Sequence, residues 1–401
     1  MRRPEGIRAA VVGTGFIGVV HVDALRRLGV EVVGVVGSSP ERVREKARIV
    51  PLPEPYDSFA AMLADPRVDV VHIASPNHVH AEQAHAALEA GKHVVCEKPL
   101  ANTADETGEL LAFARASGLV HATNFNQRFW PQIQEARARV ADGAIGEVRL
   151  VSGGYLQDWL LRPTDWNWRL DPAQGGALRA VGDIGSHWID LVSFLTGLPV
   201  RAVLADLATF VDIRHQPSGP VEAFASAGDG AGETTERAME SEDAAGVLLR
   251  LAGGALAVCV LSQVSAGRKN LLNIEVDGSH GALAWVAERN EELWLGHRGK
   301  PNELLLRDPS IASPGAGAQT LMPAGHAEGF ADTFRDLYRA VYVDVAAGHP
   351  SEEPDYPTFA DGHEQALIGE AVAQSAREGR WAEVGHAEPL DARVRVRQSK
   401  K

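Results

Sequence analysis

Ile7-Arg8-Ala9-Ala10-Val11-Val12-Gly13-Thr14-Gly15-Phe16-Ile17-Gly18 is the stretch that decides the fold. It reads as a short apolar strand running into G-x-G-x-x-G. In such a turn the first glycine permits the tight bend and the second lets backbone approach a pyrophosphate. The third lets the next helix pack close to the strand, so that a diphosphate meets the positive helix N-terminus. Gly13, Gly15, Phe16, Ile17 and Gly18 are therefore candidate cofactor contacts. The motif alone is weak, but its context is complete. An apolar-periodic helix follows at 19–28, and Glu31–Val36 supplies the second strand of a βαβ unit.

Alternation of short apolar strands with helices continues to about Asn126: strands at 68–74, 93–96 and 120–124, helices from 40, at 81–90 and at 104–117. This pattern predicts a parallel sheet covered on both faces. Ligands of such sheets bind outside the strand carboxyl ends. Ser75-Pro76-Asn77-His78 follows one of those ends, and Val94-Val95-Cys96-Glu97-Lys98-Pro99 carries an ammonium to another. Lys98 there is either a side chain snorkelling to water or a group that polarises a substrate oxygen. The second strand lacks the acidic residue that usually meets the adenosine ribose, because Gly37 stands in its place. With Ser38, Ser39 and Arg42 beside it, the loop reads either as a site for a 2′-phosphate or as a serine-proline helix cap. The cofactor is read as NAD(P), leaning to NADP.

From Arg128 the character changes. A helix at 131–141 precedes strand-like runs at 147–157, 202–211, 245–251, 255–264, 270–277 and 282–287, several joined by short glycine turns that favour antiparallel pairing. This predicts an α+β domain closed by helices at 328–347 and 358–378. Residues 214–242 are rich in Gly, Ala, Ser, Glu and Asp and read as a mobile surface insertion. The expected domains are 1–127 and 128–392, followed by a basic tail at 393–401. Within the second domain, Gly182-Asp183-Ile184-Gly185-Ser186-His187 opens an apolar-periodic helix. Asp183 and His187, four apart, share a helix face and form an acid/base pair, unless Asp183 is a cap and His187 a core residue.

The 401 residues suffice for two cores. A formal charge of −14 argues against nucleic acid or an anionic membrane as partner. No run approaches a membrane span, and the N-terminus lacks a secretory apolar region, which predicts a cytoplasmic protein. Two cysteines provide no disulfide framework and no cysteine zinc site, and no metal is expected.

Taken in order, the glycine motif, Glu97-Lys98-Pro99 and Gly175-Gly176 leading to Asp183-x-x-x-His187 resemble the Gfo/Idh/MocA oxidoreductase family. The resemblance implies a Rossmann domain followed by a domain with a large, mostly antiparallel open sheet, through which members form dimers or tetramers. It implies Lys98, Asp183 and His187 as catalytic residues, a Lys-Pro bond that is often cis, and Glu97, Ser75, Asn77 and His80 near the nicotinamide. Tyr155-Leu156-Gln157-Asp158-Trp159 and Asp165-Trp166-Asn167-Trp168-Arg169 resemble the branch acting on sugars and cyclitols. Gln157, Trp168, Arg169 and His326 are then substrate contacts beside Lys98, Asp183 and His187. The expected activity is NAD(P)-dependent oxidation of a secondary hydroxyl to a ketone, or its reverse. The alternatives are a cofactor-retaining, redox-assisted glycoside-cleaving enzyme and a non-catalytic sensor of dinucleotide and sugar.

Overall fold

A computed structural model describes residues 6–219 and 233–385. The expected basic tail and residues 220–232 of the expected insertion lie outside them. In chain order the elements are β1 (Arg8–Val12), α1 (Phe16–Arg27), β2 (Glu31–Val36), α2 (Pro40–Lys46), α3 (Phe59–Ala64), β3 (Val70–Ile73), α4 (His80–Glu89), β4 (His93–Cys96), α5 (Ala104–Ser117) and β5 (His121–Thr123). Then come α6 (Pro131–Ala141), β6 (Val148–Leu156), α7 (Pro172–Gly175), α8 (Ser186–Thr196), β7 (Val200–Ala208), β8 (Ile213–Pro217), β9 (Thr234–Ala238), β10 (Ala244–Leu251) and β11 (Leu256–Ser262). The chain ends with β12 (Leu271–Gly278), β13 (Ala282–Val286), β14 (Glu292–Gly296), β15 (Glu303–Leu306), α9 (Pro314–Ala318), α10 (Phe330–Ala347), α11 (Phe359–Glu378) and β16 (Ala382–Glu383).

The chain divides into two compact units. The first comprises residues up to Asn126 with 173–176 and 330–366. Its five strands are all parallel, in the order β2-β1-β3-β4-β5. The order reverses between β1 and β3, the switch point at which doubly wound sheets bind ligands. Helices cover both faces, so β3 is buried at every residue and its sequence shows no alternation. α10 packs on α1, with Arg27 paired to Asp332.

The second unit comprises 127–172, 177–329 and the chain from Leu367. Its nine-stranded sheet runs β15-β14-β13-β12-β6-β11-β10-β7-β16. Only β6 and β11 pair in parallel; the other neighbours are antiparallel. β10 alternates strictly, with Val247 and Leu249 buried and Gly246, Leu248 and Arg250 exposed, the signature of a sheet with one face packed. The packed face carries α8, whose Trp188 indole donates to the Asn273 carbonyl at 2.9 Å. Both cysteines are buried, Cys96 at the end of β4 and Cys259 in β11, and burial raises both thiols above their ordinary range.

Two expectations need correction. The described ends of the insertion are ordered: β8 and β9 form a hairpin, Arg214 and Asp243 are fully buried and Glu242 nearly so. Arg214, the first residue of the insertion, is buried because it is paired with Asp243, while β9 is exposed along its length. Asp183 does not open an α-helix. Val181–Gly185 is one π-helical turn that feeds α8, so Asp183 lies inside a helical segment and is no cap.

Candidate active site

The turn after β1 is built to admit a diphosphate. Gly13 has φ +94°, and a Cβ there would lie 2.2 Å from the Ala74 carbonyl oxygen. A Cβ on Gly18 would lie 2.0 Å from the Gly13 carbonyl oxygen. A Cβ on Gly15 would meet open space, which is the room a pyrophosphate needs beside a helix N-terminus without a side-chain cap. These residues fit the dinucleotide. Phe16 is exposed at the head of α1, where Ile17 and Gly18 follow it.

At the ribose end, the Ser39 hydroxyl caps α2 by accepting from the Arg42 amide at 3.3 Å, while Ser38 and the Arg42 side chain are exposed. A Cβ at Gly37 would lie 2.4 Å from Val43 Cγ2 in the core. Packing against Val43 is thus a sufficient reason for glycine at 37, without any appeal to a phosphate. The lean to NADP loses its basis here.

The other strand ends of the first unit carry the remaining cofactor candidates. Asn77 donates to the Gly175 carbonyl at 3.0 Å, and the Ser75 hydroxyl donates to Gln83 at 2.6 Å. His80 is 1 % exposed, with ring nitrogens 2.8 Å from the Pro99 and Ser75 carbonyl oxygens, so it ties two strand-end turns together and presents no free nitrogen. Burial pulls its imidazole below the ordinary value, against the pull of those two carbonyls. Glu97 is buried and is held by three donors. Its Oε1 accepts from His21 Nε2 at 3.1 Å and from Asn124, and its Oε2 accepts from the Lys98 amide at 3.1 Å. Burial opposes its charge, but His21, Lys98 and Asn124 outweigh it and keep the carboxyl below its ordinary value. The Lys98-Pro99 peptide is cis.

Behind Glu97 the chain of contacts continues. His21 Nδ1 lies 3.1 Å from His72 Nδ1, and His72 Nε2 lies 3.0 Å from the Tyr342 hydroxyl. Burial holds His72 well below the ordinary imidazole value, so it is neutral. His21 donates from Nε2 to a carboxylate. The directions of the His21–His72 and His72–Tyr342 bonds follow from which ring nitrogens carry protons.

In the second unit, Asp183 is the focus. Arg169 Nε lies 3.3 Å from its Oδ1, and Gln263 Nε2 donates to its Oδ2 at 2.8 Å. The Arg169 guanidinium also stacks over the Trp168 ring at 4.4 Å. One turn on, His187 is 8 % exposed, its ring centroid 6.4 Å from that of Tyr155. Burial and the charge of Asp183 raise the Tyr155 phenol, whose hydroxyl donates to Asn270 at 2.6 Å. Asn270 also accepts from Gln157 at 3.0 Å, and Gln157 accepts from the Trp159 indole at 2.9 Å. Asp183, His187, Arg169 and Gln157 thus form one neighbourhood through Tyr155. His326 is exposed on the turn before α10, and its carbonyl accepts from Arg307.

Residues 7–125 match the model of an oxidoreductase family with an NAD-binding Rossmann fold, and residues 133–284 match that of the GFO/IDH/MocA C-terminal domain. Levoglucosan dehydrogenase of Pseudarthrobacter phenanthrenivorans is 30 % identical over 398 residues, covering 95 % of this chain and 98 % of the relative. The chain belongs to the GFO/IDH/MocA oxidoreductase family. A solved structure of levoglucosan dehydrogenase with NADH and levoglucosan superimposes with TM-score 0.83 at 29 % identity, covering 94 % of this chain and 99 % of the other. An inositol dehydrogenase homolog from Azotobacter vinelandii, with NADH and myo-inositol, gives TM-score 0.79 at 28 % identity and covers 94 % and 97 %. This GFO/IDH/MocA protein is accordingly an NAD-binding oxidoreductase. Among the described residues no cluster of His, Cys, Asp and Glu could hold a metal ion, and no helix is long and apolar enough to cross a membrane.

Sequence reasoning missed Gln263, Tyr155's link to Asn270, and the supports behind Glu97. His21 was legible only as a polar residue inside an apolar helix, a signal that asks for a buried partner.

Proposed function

We propose that this enzyme oxidises a secondary hydroxyl of a sugar, glycoside or cyclitol to the ketone with NAD, or runs the reverse. The observation that carries the reading is Asp183, whose two carboxylate oxygens are fixed separately by Arg169 and Gln263, one turn before His187, with the Arg169 guanidinium stacked on the Trp168 ring. Aromatic faces suit the C–H face of a ring substrate, and fixed polar groups read hydroxyl patterns strongly. When bound, the dinucleotide supplies the hydride acceptor. His187 takes the hydroxyl proton as general base, Asp183 orients that hydroxyl, and Lys98 stabilises the developing alkoxide. Glu97 holds the Lys98 amide, and with it the turn on which the ammonium is carried. NAD is favoured as the cofactor because the related levoglucosan dehydrogenase and inositol dehydrogenase homolog structures hold NADH. The outer face of the nine-stranded sheet exposes Leu248, Leu256 and Val260, which supports pairing with a second copy.

The test is a panel of levoglucosan, myo-inositol and common pyranoses with NAD and with NADP, read as formation of reduced nicotinamide. Net reduction with a ring polyol is expected. Glycoside cleavage without net reduction would replace this reading with redox-assisted cleavage. Binding of dinucleotide and sugar without either reaction would leave a sensor.

A further inference from the structure

The β8–β9 hairpin is wired to Asp183 by a closed circuit of buried and half-buried polar contacts. Arg214, on β8, donates from Nη1 to the Arg162 carbonyl at 3.0 Å and from Nη2 to Asp243 Oδ1 at 2.8 Å. Arg179 pairs with the same Asp243 oxygen and donates from Nη1 to Gln263 Oε1 at 3.1 Å. Gln263 in turn donates to Asp183, Asp183 pairs with Arg169, and the chain from Arg169 leads back to Arg162. The side chains of Arg179, Arg214 and Asp243 have no exposure. Next to Asp243, Glu242 accepts from the Val181 and Arg179 amides at 2.9 and 3.1 Å, clipping the start of the π-helical turn to the same segment.

Two features make this more than an anchor. An apolar contact would hold a hairpin at lower cost than two desolvated guanidinium groups sharing one carboxylate. Moreover, the Gln263 amide has a direction: because Arg179 can only donate, it claims Oε1, which leaves Nε2 to face Asp183. Without Arg179 that direction would be held by Asp183 alone. We infer that the β8–β9 hairpin is a specificity element: through Arg214, Asp243, Arg179 and Gln263 it positions both the 162–169 loop and Asp183 against a sugar or cyclitol. The inference rests on the dehydrogenase reading above.

The test uses the full chain with Arg214→Met and two readouts. Without any substrate, hydrogen exchange is expected to quicken in 162–169 and in 179–187. With whichever of levoglucosan or myo-inositol the native enzyme oxidises, KM for that polyol is expected to rise about tenfold or more, the size of losing a charged hydrogen bond, with KM for the dinucleotide unchanged. Arg214→Lys keeps the charge but not the fork and is expected to recover part of the loss. Quickened exchange confined to the hairpin, or equal increases in both KM values, would overturn the inference. Should Arg214→Met fail to fold, Gln263→Leu leaves the hairpin anchored and is expected to lower kcat about tenfold without changing hairpin exchange; native kcat in that variant would equally overturn it. If the native enzyme oxidises neither polyol, the substrate reading fails, and the exchange pattern still decides the role of the hairpin.

Discussion

The two units support Glu97 and Asp183 with opposite chemistry. Behind Glu97 in the first unit stand the rings of His21, His72 and Tyr342, joined by hydrogen bonds whose direction depends on where one proton sits. Behind Asp183 in the second stand guanidinium groups and a carboxylate joined as ion pairs. The first network can be reversed by a single proton. The second is locked by charge, and what it fixes is direction.

The sharpest way to break this contrast is to take one charge from the locked network. Asp243→Asn leaves Arg179 and Arg214 buried without their carboxylate and is expected to cost about 3–5 kcal/mol in denaturant unfolding. A loss under 1 kcal/mol would mean that water reaches the cluster. Lys98→Met addresses the reacting end of the first unit. Turnover is expected to fall about a hundredfold or more while dinucleotide still binds in calorimetry, since in the proposed mechanism the lost group faces developing charge. Near-native turnover would leave Lys98 a snorkelling strand-end residue.

Acid separates the units next. His72, His80 and His93 in the first unit are held below the ordinary imidazole value by burial, as is His121, at about 4. The unfolded chain therefore binds protons first, so the stability these rings contribute is full above about pH 6.5 and drains away as pH falls toward 4, by up to about 1.4 kcal/mol per pH unit for each. Asp243 is held below its ordinary value, with burial opposed by the Val211 amide and Arg179, so its contribution lasts until pH falls below about 3.9. All eight tryptophans lie in the second unit. Near pH 5, far-ultraviolet dichroism is expected to decay before tryptophan emission shifts; simultaneous change would refute the ordering.

Smaller effects refine the picture. Ser38→Asp places a carboxylate on an exposed position of the ribose loop and is expected to favour NAD over NADP by a further tenfold or so, about 1.4 kcal/mol, in the ratio of kcat/KM values. Tyr342→Phe removes one neutral hydrogen bond and is expected to cost only about 1 kcal/mol, seen as a modest fall in melting temperature.

What the sequence disclosed was local. G-x-G-x-x-G, Glu97-Lys98-Pro99 and Asp183 with His187 are contiguous patterns in which turn chemistry and periodicity act over a few residues. The supports behind them join side chains far apart in the chain: 76 residues separate His21 from Glu97, and 80 separate Asp183 from Gln263. No periodicity encodes such pairs. The hairpin misled because its ends look solvated by composition, while Arg214 and Asp243 are buried by mutual charge. The π-helical turn was invisible because five residues are too few to tell its period from that of an α-helix. At Gly37 the absence of a residue type reads as adaptation to a ligand, while the contact with Val43 that also calls for glycine is invisible in the sequence.

The two sequestered thiols turn the molecule into a ready spectroscopic background. A thiol raised by burial is almost never thiolate at neutral pH, so Cys96 and Cys259 would be passed over by a maleimide dye. A cysteine introduced at Thr235, exposed on β9, would then carry the label alone. Fluorescence from that one position would follow the hairpin in the native protein without any change to its interior.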